Sequence, residues 1–157
     1  MKKLSIIVPV YNELILLENV IDYLMAAPCP IEKEWIFVDD GSTDGSVAIL
    51  RKQASRYGFK VILHSKNQGK GAAVIRGIQE ATGDFIMIQD ADFEYDPKDI
   101  SDLIEPLLAD KADVVYGSRF RHNVKQVHRT YHYFINRILT ILSNFLSGIY
   151  LTDMETC

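Results

Sequence analysis

Residues 85–97 read FIMIQDADFEYDP, and the passage from an apolar run into an acidic loop decides the fold. Phe85, Ile86, Met87 and Ile88 form a short continuous apolar segment, the pattern of a strand buried on both faces in a parallel sheet. Asp90 and Asp92 follow at once. Two carboxylates at i and i+2 beyond the end of a strand point to the same side and converge on one small space. Charges that close repel unless a cation lies between them, and hard oxygen ligands suit Mg2+ or Mn2+. Mg2+ takes one or two carboxylates and completes its shell with water and substrate phosphates, so the stretch predicts a metal-bound phosphate ester. An isolated acidic pair is ordinarily a solvated turn, here ahead of a helix starting at Asp96 and Pro97. The rest of the chain decides against that reading.

Working outward, residues 4–10 (LSIIVPV), 35–38, 60–63 and 114–116 are further short apolar runs of strand character. Residues 14–26 place apolar residues at spacings of three and four, a helical face, and a segment running through residue 56, residues 72–82 and the segment after Pro97 also have helical character. Pro28 and Pro30 stop the first of these, Gly58 ends the second, and Pro106 predicts a kink or an early end in the last. Repeated strand-helix alternation with short connections predicts an α/β fold: a mainly parallel sheet of five strands, helices on both faces and right-handed crossovers. In such sheets ligands bind outside the carboxyl ends of the strands. The unusual polar residues collect there, at 11–13, 39–44, 64–71, 90–92 and 117–120. No glycine fingerprint follows the first strand, which argues against a dinucleotide site, and Gly69-Lys70-Gly71-Ala72 lacks the earlier glycine and the Ser/Thr of a phosphate-binding P-loop.

The bulk properties agree with one globular domain over residues 1–157. Apolar residues make up 48% and charged residues 24%, and the formal net charge of -4 supplies no domain-wide positive field for nucleic acid. Cys29 and Cys157 stand in no metal-ligand spacing and suggest no disulfide scaffold, so a reducing compartment is the default. The first ten residues run straight into a strand pattern without the apolar core and cleavage site of a signal peptide, which places the expected catalytic part in the cytosol.

With IIVPVYNE at 6–13, VDDGSTDGS at 38–46, NQGKGAAV at 67–74, DAD at 90–92 and GSR at 117–119, the chain resembles family 2 glycosyltransferases. Within that family the QDAD, FEYDP and GSRF wording is most similar to dolichyl-phosphate mannose synthases and related polyprenyl-phosphate glycosyltransferases. The resemblance implies the GT-A fold and metal-dependent transfer, with inversion, of a hexose from GDP-mannose or a UDP-hexose. The implied acceptor is a polyprenyl or dolichyl phosphate, or else a glycan hydroxyl. A catalytically inactive nucleotide-binding or membrane-associated scaffold is the alternative from another class.

The resemblance also implies roles for particular residues. Pro9, Tyr11, Glu13 and Asp40 lie near the nucleoside, where an aromatic ring can stack on a base and a carboxylate can accept from base or ribose. A core tyrosine and turn or N-cap carboxylates are the structural alternatives, Asp44 being mostly a cap and Asp39 a rival of Asp40 for the base. Lys70 reaches the donor phosphates from its glycine-bearing loop, or is plain surface. Asp90 and Asp92 carry the Mg2+ or Mn2+, Asp90 also meeting the donor. Arg119 faces the reacting phosphates, where a guanidinium holds oxygens bidentately. Arg129 belongs to a basic stretch with Arg121, Lys125 and Arg137 suited to an anionic acceptor, and Asp153 is a late carboxylate in a catalytic position.

Residues 129–151 form an apolar, amphipathic region. Its longest uncharged run, 138–152, is 15 residues, short of the roughly 20 that span a bilayer. Asn136, Thr140, Ser143, Asn144 and Ser147 make a polar stripe at helical spacing, and the wide apolar remainder needs a cover: the protein's own sheet, a second subunit in a homodimer, or a membrane surface touched peripherally. The sequence ends TDMETC where the resembled enzymes carry more active-site chain, so a C-terminal truncation is expected.

Overall fold

The computed structural model describes residues 1–93, 95–118 and 130–153. Strands β1 (Lys3–Val10), β2 (Glu32–Asp39), β3 (Lys60–Leu63) and β4 (Phe85–Ile88) alternate with helices α1 (Leu17–Met25), α2 (Ser46–Tyr57) and α3 (Lys70–Glu80). A 3-10 turn at Pro97–Asp99 leads into α4 (Ile100–Leu108), and α5 covers Thr130–Ser147. The strands form one sheet in the order β3-β2-β1-β4, every neighbouring pair parallel. Two compact units divide the chain, residues 1–102 with the whole sheet and residues 103–157.

The order explains how the site is made. From β1 the chain winds outward through β2 and β3, then returns over the sheet by α3 to place β4 on the other side of β1. Reversing direction sends the crossover helix to the opposite face, because right-handed connections allow nothing else. α3 packs on β1 and β2, whereas α1 and α2 pack on each other. With both faces covered, Leu4, Ile6, Ile7, Val8 and Val10 are all buried, which accounts for the uninterrupted apolar reading of β1. One face joins Ile7, Ile36 and Val38 to Ala73 of α3. There the helix comes so close that a Cβ on Gly77 would lie 2.4 Å from Ile7 Cγ2. On the other face Phe37 meets Phe59 with ring centroids 4.3 Å apart.

Several local expectations hold. Gly58 adopts φ 76 and closes α2, Asp96 accepts the Lys98 N–H beside Pro97, and α4 ends two residues after Pro106. Others are corrected. The sheet has four strands among the described residues, and residues 114–116 carry no strand; Val114 and Tyr116 are exposed at 66% and 56%. Three apolar residues cannot form a strand without a neighbour to take their backbone hydrogen bonds. α3 begins at Lys70 rather than at residue 72, so Lys70 opens a helix instead of sitting in a loop. Gly45 at φ 105 takes the N-cap position of α2, and Asp44, one residue earlier, caps the helix by accepting the N–H of its first residue, Ser46, at 3.0 Å.

In the second unit, α5 ends at Ser147, where Gly148 turns left-handed at φ 69. Asn136, Thr140 and Asn144 of this helix's polar stripe face their own chain. Asn144 donates to the Leu151 carbonyl at 2.8 Å and accepts the Leu151 N–H at 2.9 Å, while Thr140 donates to Asn136 at 3.2 Å. Ile138, Ile141, Leu142, Phe145 and Leu146 remain exposed, and no described helix is long and apolar enough to cross a membrane.

Candidate donor-binding cleft

A cleft of about 270 Å³ opens at the carboxyl ends of β1 and β4, the two strands between which the winding direction reverses. Such a switch point leaves a crevice because the loops on either side depart to opposite faces. β1 and its loop contribute Pro9, Val10, Tyr11 and Glu13; the end of β2 contributes Asp40; the segment before α3 contributes Asn67, and α3 itself Lys70; β4's loop contributes Asp90, Ala91 and Asp92. Pro9, Tyr11, Glu13, Asp40, Lys70, Asp90 and Asp92, scattered over 84 positions of sequence, thus line one space. Asn67, Val10 and Ala91 join them; all three lie within the NQGKGAAV, IIVPVYNE and DAD motifs, but none had been given a role of its own.

The loops that form the walls are laced together. Asn12, in the left-handed region at φ 56, donates its N–H to Ser42 Oγ at 2.9 Å and accepts the Thr43 N–H on its side chain at 2.9 Å. Asp44 accepts the Leu14 N–H at 2.9 Å, the Ser46 N–H at 3.0 Å and the Ser46 hydroxyl at 2.6 Å. Burial pushes its carboxyl up, but the Ser46 and Leu14 donors hold it below the ordinary value. Tyr11, at 46% exposure, is therefore held on a braced turn with its ring open to the cleft rather than in the core.

Asp39 and Asp40 divide their duties. Asp39 Oδ2 accepts the Gly41 and Ser42 N–H groups at 3.1 and 2.9 Å and closes the turn, and Asp39 does not line the cleft. The turn needs Gly41, at φ 75, because a Cβ there would lie 2.5 Å from the Lys66 carbonyl carbon. Asp40 Oδ1 lies 2.8 Å from His64 Nδ1 and accepts the Gln68 N–H at 3.0 Å, while Oδ2 accepts the Gly69 N–H at 2.7 Å. Burial raises the Asp40 carboxyl, and the hydrogen bonds from His64, Gln68 and Gly69 outweigh it, leaving the group ionised below its usual range. Asp40 thus fixes the backbone that carries Lys70 as well as lining the cleft.

The electrostatics are acidic and crowded. Glu13 is pushed above its ordinary value by burial first, then by Asp92 and Asp44. Among the described lining residues Lys70 supplies the positive charge, its Nζ 2.6 Å from Asp90 Oδ1 and 2.8 Å from Oδ2. Two hard carboxylates at the mouth of a crowded acidic cleft suit Mg2+ or Mn2+. Among the described residues no group of three or more His, Cys, Asp or Glu could hold a metal ion.

Asp153 belongs to the second unit, where it is buried and accepts a hydrogen bond from Asn136 Nδ2 at 3.4 Å. Arg119 and Arg129, with Arg121 and Lys125, lie outside the described residues.

The fold is that of the GT-A glycosyltransferases, on which the chain superposes. The mannosyltransferase PcManGT from Pyrobaculum calidifontis, solved in complex with GDP-Man and Mn2+, superposes with a TM-score of 0.57 at 29% identity, over 62% of this chain and 30% of that one. The chain belongs to the glycosyl transferase family 2, whose sequence model matches residues 5–155. It is 37% identical over 118 residues to the dolichol-phosphate mannosyltransferase of Pyrococcus furiosus, covering 75% of this chain and 33% of that protein. To the dodecaprenyl-phosphate galacturonate synthase of Rhizobium johnstonii it is 32% identical over 150 residues, 93% of this chain and 42% of the relative. The chain therefore spans a third to about two fifths of the length of these relatives.

Proposed function

We propose that this chain forms the donor-binding part of an enzyme that transfers a hexose, with inversion, from a nucleotide-sugar to a polyprenyl or dolichyl phosphate. The observation that carries the reading is the convergence of Tyr11, Asp40, Lys70, Asp90 and Asp92 on one cleft at the sheet's switch point. Tyr11 presents an exposed ring on which a base can stack, and Pro9 and Glu13 border the same wall. Lys70 reaches toward the space a diphosphate would fill, beside Asp90 and Asp92, which would hold the Mg2+ or Mn2+. When bound, that cation neutralises charge developing on the departing diphosphate. Arg119 assists there with a bidentate guanidinium, and Arg129 orients an anionic acceptor. The PcManGT complex with GDP-Man and Mn2+ and the lipid-phosphate relatives support this choice of donor, metal and acceptor.

A polyprenyl phosphate lies at a membrane, and α5 offers a surface suited to one. Phe145 and Leu146, 84% and 76% exposed, share the helix with exposed Arg137. We read this helix as a peripheral membrane contact on the cytoplasmic side. Two measurements test the proposal. The full-length protein with Mn2+ should transfer labelled hexose from GDP-mannose or UDP-glucose to a polyprenyl phosphate, and transfer only to a sugar hydroxyl would overturn the acceptor. It should also float with anionic vesicles, and Phe145→Glu should abolish flotation; a homodimer that ignores vesicles would assign the apolar face to a second copy.

A further inference from the structure

Lysine is poorly suited to the first position of a helix, because the positive end of the macrodipole opposes its charge. Lys70 occupies that position in α3 and is compensated there by both oxygens of Asp90, at 2.6 and 2.8 Å. The placement is braced from behind. Gln68 and Gly69 give their N–H groups to the buried carboxylate of Asp40, and Gly69 holds φ 93, so the backbone leading into Lys70 is tied down. The ion pair adds little to the stability of the fold, since the Lys70 and Asp90 side chains are 56% and 23% exposed. Its consequence is local: Asp90 already has a cation.

We propose that Lys70 is the built-in counter-ion of this cleft, competing with the divalent metal for Asp90 and turning to the donor's phosphates when the metal displaces it. This rests on the reading of Asp90 and Asp92 as the metal's carboxylates. Metal alone then binds weakly, since it must dislodge the Lys70 ammonium from both oxygens of Asp90. Metal arriving with a diphosphate binds more tightly, because the diphosphate gives Lys70 a new partner. Linkage makes the effect reciprocal, so metal strengthens diphosphate binding by the same factor. The competition would keep the metal from settling in the absence of donor.

The test is Mn2+ binding by electron paramagnetic resonance, with and without GDP or UDP, on the wild-type protein and on Lys70→Met, Lys70→Arg and Asp90→Asn. Lys70→Met should bind Mn2+ alone about fivefold more tightly, the size expected for losing one partly exposed ion pair. Its affinity for the nucleoside diphosphate at saturating Mn2+ should fall, and Lys70→Arg should behave as wild type in both assays. Opposite signs in one variant are not the mark of a damaged fold. If Lys70→Met binds Mn2+ alone no better than wild type while Asp90→Asn loses it, the competition is wrong and the metal assignment stands. If Asp90→Asn binds Mn2+ undiminished, or no variant binds it, the metal assignment falls and the competition with it.

Discussion

The buried carboxylate of Asp40 lies 2.8 Å from Nδ1 of His64, joining the end of β2 to the segment that follows β3. With the Gln68 and Gly69 N–H groups on the same carboxylate, the end of β2 is tied at three points to the single connection between β3 and α3. Asp40→Asn replaces an acceptor-only carboxylate with a group that has one accepting oxygen, stranding a backbone donor. The expected loss is about 1–3 kcal/mol of stability, with weaker donor binding as the start of α3 loosens. The pH dependence has a definite sign. Because the folded carboxyl titrates below its ordinary 3.8, its contribution is fully present above that value and lost as pH falls through the lower, folded one. Thermal melts of Asp40→Asn and wild type at neutral pH check this, and coincident curves would contradict it.

At the opposite end of the sheet, Glu34 accepts the Ser5 hydroxyl at 2.6 Å and the Thr82 N–H at 2.9 Å, with Lys3 Nζ 3.5 Å away. Burial opposes its charge, yet Ser5, Thr82 and Lys3 bring its carboxyl from 4.5 down to about 2. Glu34→Gln should cost on the order of 1–2 kcal/mol at pH 7 after allowance for solvent screening. The stabilisation is present above about pH 4.5 and drains away as pH drops toward about 2. Denaturant midpoints of the two proteins should therefore converge in acid; a gap that persists undiminished at pH 2 would assign the effect to packing instead.

The acceptor's chemistry separates two outcomes for Asp153 and the arginines. A phosphate monoester has a second pKa near ~6, so it brings an ionised oxygen at neutral pH and needs positioning rather than a base. With that acceptor, Arg119→Ala and Arg129→Ala should each cut turnover of the full-length enzyme at least about tenfold. Asp153→Asn should keep substantial activity, with some loss of stability from disturbing its contact with Asn136. A sugar hydroxyl must lose a proton during attack, so it reverses the order and makes turnover fall in acid with a carboxylate's titration. Steady-state rates of the three variants distinguish the cases. Abolished turnover in Asp153→Asn beside near-normal Arg129→Ala would refute the phosphate acceptor.

Much of this architecture could be read from sequence because it depends on local pattern. The four apolar runs at β1 to β4 are strands, β3 with the same limits, and the polar residues after β1, β2 and β4 reach one rim. What escaped depends on contacts distant in the chain. β2 begins at Glu32, three residues before the apolar run, because Glu34 is satisfied by Ser5 and Thr82, 29 and 48 positions away. The division between Asp39 and Asp40 is invisible in a DD dipeptide and follows from which carboxylate meets His64. Residues 114–116 have strand-like composition without a strand's hydrogen bonds, and α5's polar stripe, legible as a pattern, turned out to bind Leu151. In each case composition identified the segment and only its partner decided its role.

In the proposed function, Asp90 and Asp92 prepare the cleft for a nucleotide-sugar together with a divalent cation. Without the cation these carboxylates would face a negatively charged diphosphate. Calorimetric titration of GDP-mannose, UDP-glucose and UDP-N-acetylglucosamine, with Mn2+ and with chelator, tests it most directly. The expected result is saturable binding of one donor in Mn2+ that is lost in chelator and weakened at least about tenfold by Asp92→Asn. Donor binding that survives chelator, or that Asp92→Asn leaves as tight as wild type in Mn2+, would contradict it.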